Sequence, residues 1–232
     1  TDLLNEEFLG NLQKKINFYS SPYLTINSYV SSLMYKKISE NNIRVNLSGG
    51  GSDEIFTGYY QHHAYYLKYL NDKKNKNDYN LNYKFWKEKI YPVVRNPFLK
   101  DKRIFLKEKN LTNSLLNYCV NPKIMDFSKK KYSFNFKEKR YSENLLKNRM
   151  YNEIFFENVP TFLYEDDRNH MFYSIENRSP YLDKNLVEFA MSLPLNFLIK
   201  NGTAKYILRD AFKEKINNKI LFDSPKRGFN FN

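Results

Sequence analysis

The 232-residue chain carries a formal net charge of +13, and 41% of its residues are hydrophobic. This hydrophobic share is sufficient for a packed core and argues against disorder of the whole chain. No apolar run approaches the roughly 20 residues that span a bilayer, and the acidic N-terminal segment lacks the basic start of a secretory signal, so we expect no membrane partner.

Charge and cysteine content bear on the partners and on the cellular compartment of the protein. The basic residues are spread along the chain in mixtures with Glu and Asn. Charge of this kind gives non-specific attraction without a site, so we expect no nucleic-acid partner. The only cysteine, Cys119, excludes internal disulfides and lies in an apolar stretch. We interpret it as a small core residue in a protein of the reducing cytoplasm.

The first part of the chain predicts two helices, a strand and a third helix. Apolar spacing predicts helices over 5–18 and 24–40, and apolar–polar alternation predicts a strand over 43–47. A helix is expected from about 52 to 70. The polar residues 71–82 are typical of a surface loop.

In the second part of the sequence, apolar residues recur at helical spacing only after a charged middle segment. Residues 83–120 predict short helical pieces broken at Pro92 and Pro97, and residues 121–142 form a solvated charged stretch. From 143 to 216 apolar residues mark helix faces again. A single strand cannot form a sheet, so we expect its partners in chain that is absent here or in another chain. We also expect a fragment, incomplete at both ends.

Glycine is concentrated in one motif. Four of the seven glycines lie within residues 49–58, in the sequence Ser48-Gly-Gly-Gly-Ser-Asp-Glu. A strand followed by a glycine turn and a helix start presents free backbone N–H groups to an anion. Because Asp53 and Glu54 follow at once, the motif predicts phosphate together with a divalent metal.

Lys205 is a second candidate residue. Thr203 is the expected N-cap of the next helix, which puts Lys205 in the first turn of that helix. A cation there opposes the helix dipole unless an anion lies nearby, and Arg209 adds to the positive field. The alternative interpretation is an ordinary surface lysine.

Other charged residues favour structural roles. Residues 165–168, Glu-Asp-Asp-Arg, indicate either a metal site or an ion-pair network, and the network is the default. Asp183 is placed to cap the following helix. His62 and His63 are adjacent and cannot chelate one metal on a helix, so we expect no structural zinc.

Several motifs in order resemble the asparagine synthetases. Residues 48–59 resemble that family's Ser-Gly-Glu-Gly-x-Asp-Glu-x-Phe-x-Gly-Tyr signature. Asp167-Arg168, then Met171, then Glu176-x-Arg178-x-Pro-Tyr-Leu-Asp183 look like the next family motifs. Lys205-Tyr-Ile-Leu-Arg209 and residues 225–229, Pro-Lys-Arg-Gly-Phe, continue the order.

The resemblance implies a fold and a reaction. The fold is an α/β adenine-nucleotide-hydrolase-like (ATP pyrophosphatase) synthetase domain, of which residues 1–232 would be a mostly helical C-terminal portion with one strand of the parallel sheet. ATP and aspartate or a related carboxylate would give an acyl-adenylate, which ammonia from glutamine then attacks. A homodimer remains open. The implied site comprises catalytic positions Lys205, Gly50 and Arg178, ATP-binding residues Ser48, Gly49, Gly51 and Ser52, and Asp53 as the Mg²⁺ ligand.

The sequence departs from the family pattern in three ways. The family's glutamate within the glycine turn is Gly50 here, which opens the question of the substrate. The first ATP loop, Ser-Gly-Gly-x-Asp-Ser, and an N-terminal cysteine glutaminase domain are not present, so we expect this chain alone to be inactive. Two alternatives stay open: an amidotransferase acting on a sugar acid of a surface polysaccharide, and a degenerate nucleotide-binding or scaffold module.

Overall fold

The computed structural model describes residues 6–94, 97–100 and 138–222. Cys119, the basic run 129–131 and the 225–229 motif lie outside the described residues. The α-helices are α1 Glu6–Tyr19, α2 Ile26–Glu40, α3 Ser52–Phe56, α4 Tyr60–Asp72, α5 Lys76–Phe85, α6 Leu145–Phe155, α7 Asn158–Met171, α8 Lys184–Ser192, α9 Leu195–Leu198, α10 Tyr206–Ala211 and α11 Asn218–Leu221. Within these described ranges, the helical elements also include a π-helical turn, Trp86–Ile90, and the 3₁₀ turns Pro97–Lys100 and Pro180–Leu182.

The described strands are short and form two separate pairs. Strand β1, Val45–Leu47, pairs in parallel with β2, Glu176–Arg178. Strands β3, Ile199–Lys200, and β4, Thr203–Ala204, form an antiparallel hairpin. The predicted mostly helical chain with a parallel strand is confirmed, whereas the prediction of only one strand was wrong. Strand β2 reads Glu-Asn-Arg and has no apolar alternation from which a strand could be predicted.

The predicted helices over 5–18 and 24–40 correspond to α1 and α2. Thr25 begins α2 as its N-cap, because its hydroxyl accepts a hydrogen bond from the Ser28 N–H at 3.3 Å. Asp183 likewise caps α8, as predicted, since its Oδ1 accepts from the Leu186 N–H at 3.1 Å. These ends are set by side chains within three residues, which explains why local sequence located them.

The helix predicted over 52–70 is interrupted. Thr57 adopts the left-handed region with φ 67°, and the Gly58 N–H closes α3 on the Asp53 carbonyl at 2.8 Å. The Thr57 hydroxyl donates to the Leu198 carbonyl at 3.1 Å, a contact that local sequence does not reveal. The chain therefore turns between α3 and α4, and this turn folds over Asp53.

The prediction of a loop over 71–82 is also wrong for most of that range, because α5 begins at Lys76. The Asn75 side chain caps α5 by accepting from the Asp78 N–H at 3.2 Å. Tyr79 and Tyr83 then stack with centroids 5.8 Å apart and pack against buried residues. Aromatic packing thus stabilises a helix whose composition is typical of a loop.

The main core joins α3 to α6 and to the C-terminal helices. Its buried members include Ile55, Phe56, Leu146, Met150 and Leu198. The core also encloses charges, since Glu153 lies 2.8 Å from His62 Nε2 and 3.0 Å from Arg149 Nε. Because α3 contributes its last residues to this core, its first residues are held in a fixed place at the end of β1.

Candidate functional site: the glycine turn and Lys205

The glycine turn begins where β1 ends. The Ser48 N–H donates to the Arg178 carbonyl at 2.8 Å, which extends the parallel pairing by one bond, and the hydroxyls of Ser48 and Ser179 lie 3.0 Å apart. Gly51 has φ 91°, a conformation that favours glycine, and a Cβ there would lie 2.4 Å from Leu182 Cδ2. The turn therefore lies at the carboxyl ends of two parallel strands.

Gly50 lies beneath an aromatic ring. A Cβ built on Gly50 would lie 2.8 Å from Cε2 of Phe162, a residue of α7 that packs on the main core. Gly49, by contrast, has no atom within 4 Å of a built Cβ. At the position where the resemblance places a glutamate, this chain therefore carries an aromatic contact.

The two carboxylates that follow the turn point in different directions. Glu54 is only 2% exposed and accepts a hydrogen bond from the Tyr59 hydroxyl. Burial raises the pKa of Glu54 despite this hydrogen bond. Asp53 alone faces the turn, and a Cβ on Gly58 would collide with its Oδ1. The predicted two-carboxylate site is thus reduced to Asp53.

Lys205 meets Asp53 directly. Its Nζ lies 2.5 Å from Asp53 Oδ1 and donates to the Ser52 hydroxyl at 2.9 Å, with the lysine and aspartate side chains 25% and 24% exposed. The β3–β4 hairpin carries Lys205 to this position. The Lys205 N–H donates to the Phe56 carbonyl at 3.1 Å, so the backbone is tied to the end of α3.

The local prediction for Lys205 requires a correction. Thr203 lies in β4 and is not the N-cap; Lys205 itself occupies that position with φ 55°, in the left-handed region. Helices α3 and α10 have only five and six residues. The positive field near the turn therefore depends on the Lys205 ammonium more than on helix dipoles. The guanidinium of Arg209 donates to two main-chain carbonyls, that of Ala204 at 2.8 Å and that of Leu221.

Arg178 reaches the site with its main chain only. Its carbonyl accepts from Ser48, whereas its guanidinium lies 2.8 Å from Glu176 Oε1, and both side chains are 59% exposed. The paired guanidinium lowers the pKa of Glu176. The structure thus brings together Ser48, Gly49, Gly50, Gly51, Ser52, Asp53 and Lys205, and it leaves the Arg178 side chain beside Glu176.

The acidic segment of α7 has a structural role. Glu165 accepts from the Ser28 hydroxyl at 2.6 Å, and Asp166 accepts from the Tyr35 hydroxyl at 2.7 Å. Arg168 donates to the Ser21 hydroxyl at 2.7 Å. These bonds hold α7 against α2 and the turn that precedes it. Across residues 6–94, 97–100 and 138–222, no group of three or more His, Cys, Asp or Glu side chains could hold a metal ion.

Asp53 nevertheless fits one kind of metal site. Mg²⁺ bound together with a nucleotide uses one or two protein carboxylates and completes its ligands with phosphate oxygens and water. A single, partly exposed carboxylate beside a glycine turn meets that requirement. It does not meet the requirement of a resident metal held by protein ligands alone.

Fold and site together define the class: a mostly helical domain in which a small parallel sheet presents a glycine turn, a carboxylate and a lysine at its carboxyl edge. The Asparagine synthase family model matches residues 1–232. The chain therefore belongs to the asparagine synthase family, and the resemblance of its motifs is confirmed.

One curated relative is similar to this chain along nearly all of the chain's length. This relative is asparagine synthetase [glutamine-hydrolyzing] 1 of Bacillus subtilis (strain 168), and it is 26% identical to this chain over 97% of the chain's length. The match covers 36% of that relative's length. No solved structure matches the chain. In the part of the chain that the structure describes, no helix combines the length and apolar character needed to cross a bilayer.

Three residues at the turn were missed by the sequence analysis as site residues. Phe162 covers Gly50, Ser179 contacts Ser48, and Leu182 covers Gly51. Ser179 and Leu182 lie within the motif 176–183, so that motif carried a signal for them. Phe162 lies outside every quoted motif, and only the packing of α7 reveals it.

Proposed function

We propose that this chain supplies the adenylating site of an ATP-dependent, AMP-forming ligase of the asparagine synthetase type. A substrate carboxylate attacks the α-phosphate of ATP, and pyrophosphate leaves. Ammonia from glutamine then attacks the acyl carbon of the adenylate, and AMP leaves as the amide forms. The observation that carries the proposal is the convergence of the glycine turn, Asp53 and Lys205 at the end of β1.

The residues of the turn have separate roles in this proposal. Ser48 and Ser52 contact ATP through their hydroxyls, and Gly49 and Gly51 contact it through backbone N–H groups, as in other glycine turns at strand ends. The Lys205 ammonium offsets the negative charge that develops on the leaving pyrophosphate. Asp53 and phosphate oxygens would hold Mg²⁺, which supplies further positive charge to the same group.

The parallel pair supports the proposed adenine-nucleotide-hydrolase-like fold. In open α/β sheets, ligands bind beyond the carboxyl ends of the strands. Strands β1 and β2 are parallel, helices α3 to α7 lie in the described parts of the chain between them, and both strands end at the glycine turn. We propose that residues 1–232 form part of one such synthetase domain.

The acceptor is proposed as aspartate or a related acid. The turn lacks a carboxylate at Gly50, and the Phe162 ring lies beside that position. An apolar ring cannot accept a proton or bind an ammonium by charge pairing as a glutamate can. Because the site differs from the family pattern at this position, the acceptor is identified by assaying aspartate and related acids in parallel.

The proposal is tested with the full-length protein, ATP, Mg²⁺, glutamine and a panel of amino acids and sugar acids. One acid should stimulate pyrophosphate release, and ¹⁸O from its carboxylate should appear in AMP. Lys205→Met should lower the rate at least about 100-fold, the scale for losing one charge-stabilising group. Lys200→Met is the matched control in the same hairpin, because Lys200 contacts Tyr206. Absence of pyrophosphate release with every acid, or full activity of Lys205→Met, would refute the proposal.

A further inference from the structure

The Lys205 ammonium lies where a cation bound to Asp53 would lie. Its Nζ is 2.5 Å from Oδ1, the separation of a close ion pair, and the Ser52 hydroxyl accepts a second hydrogen bond. A divalent ion on the same carboxylate oxygen would stand only a few Å from this ammonium. Two cations at that separation repel, and partial burial limits the screening of this repulsion by water.

The backbone around Lys205 is fixed. The Lys205 N–H donates a hydrogen bond to the Phe56 carbonyl. The Gly202 N–H holds the hairpin by donating to Asn82 Oδ1 at 2.7 Å. A Cβ on Gly202 would lie 2.1 Å from the Phe85 ring, so the hairpin also fits tightly against α5. The ammonium can therefore leave Asp53 only by rotation of the side chain, while the backbone stays in place.

From this geometry we infer that Lys205 is the resident counter-cation of Asp53 and excludes a divalent metal ion from it until a polyphosphate is bound. The triphosphate offers the ammonium a more highly charged partner and draws it away from the carboxylate. The inference rests on the proposed function, because it assigns both residues to one ATP site. It implies positive coupling, since nucleotide and metal each favour the binding of the other.

The test measures binding of Mn²⁺ alone to the full-length protein, with the free ion quantified by electron paramagnetic resonance and no nucleotide present. Lys205→Met should bind Mn²⁺ at least tenfold more tightly than the wild type. The gain should disappear in Lys205→Met/Asp53→Asn, which assigns it to this carboxylate. Lys200→Met removes the same charge from the hairpin away from Asp53 and should bind like the wild type.

A conservative variant guards against misfolding. Lys205→Arg keeps the positive charge and should bind Mn²⁺ as weakly as the wild type, whereas Lys205→Gln should reproduce the gain of Lys205→Met. The inference is overturned if neither neutral variant binds Mn²⁺ more tightly, or if the gain persists without Asp53. Such a result leaves the proposed function standing, because that function is judged by pyrophosphate release from the wild type.

Discussion

Gly50→Ala tests how the glycine turn is packed. The added methyl would lie 2.8 Å from Cε2 and 3.1 Å from Cζ of Phe162. Carbon atoms in favourable contact are about 3.5–4.0 Å apart, so the methyl intrudes on the ring by about 0.7 Å or more. The ring is half-buried and packs on the main core, so it cannot retreat freely. We expect Gly50→Ala to lower the free energy of unfolding by about 1–3 kcal/mol.

Gly49→Ala is the matched control. Its built Cβ has no neighbour within 4 Å, and neither Gly49 nor Gly50 has a positive φ. The change at Gly49 should alter the free energy of unfolding by no more than about 0.5 kcal/mol, as surface changes do. Urea denaturation of the full-length protein measures both variants. In thermal melts, Gly50→Ala should have a lower Tm than Gly49→Ala.

A double-mutant cycle assigns the effect to the ring. On a Phe162→Ala background the overlap is removed, so the added cost of Gly50→Ala should vanish and the coupling energy should equal about 1–3 kcal/mol. The reasoning is refuted if Gly50→Ala and Gly49→Ala are equally stable. It is also refuted if the cost of Gly50→Ala is unchanged when the ring is absent.

Three further predictions concern buried or capping groups. Burial lowers the pKa of His63 to about 3, so below pH 6.5 the unfolded chain binds a proton that the folded chain does not. Between pH 7.0 and pH 5.5 this proton uptake should lower the free energy of unfolding by about 1.3 kcal/mol, as measured by urea denaturation. His63→Leu should lose this part of the pH dependence, and an unchanged pH dependence in that variant would contradict the prediction. Glu153→Gln should lower the free energy of unfolding by about 1–3 kcal/mol, because buried His62 and Arg149 lose a charged partner while Arg149 keeps Glu138 and Glu157; a loss below about 0.5 kcal/mol would contradict this. Asp183→Ala should lower the free energy of unfolding by about 1 kcal/mol in the same assay, because the Leu186 N–H loses its acceptor. Asp183→Asn should retain most of the stability, because asparagine also caps helices. Equal losses in the two variants would argue against the cap.

Elements with local causes were predictable. Helices α1 and α2 follow from apolar spacing, and the start of α8 follows from Asp183, whose partner is three residues away. The glycine turn was predictable as well, because a run of three glycines soon after a strand of alternating apolar and polar residues is typical of a sharp turn in the backbone. Each of these features depends on residues within one or two turns of chain.

Elements with distant causes were not predictable from local sequence. The end of α3 depends on Thr57, which contacts Leu198 some 141 residues later. Strand β2 exists because its main chain pairs with β1, although its side chains are polar. Helix α5 forms where composition predicts a loop, because its tyrosines stack and pack against residues buried elsewhere in the chain.

By itself, the sequence determined the family, through ordered motifs, and the presence of a glycine turn after a strand. Only the tertiary structure decided which charges meet there. It brings Lys205 to Ser52 across 153 positions, turns Glu54 into the core, and leaves the Arg178 guanidinium beside Glu176. The physical reason is that periodicity fixes the direction of side chains within one element, whereas a charge pair between elements depends on how the whole core packs.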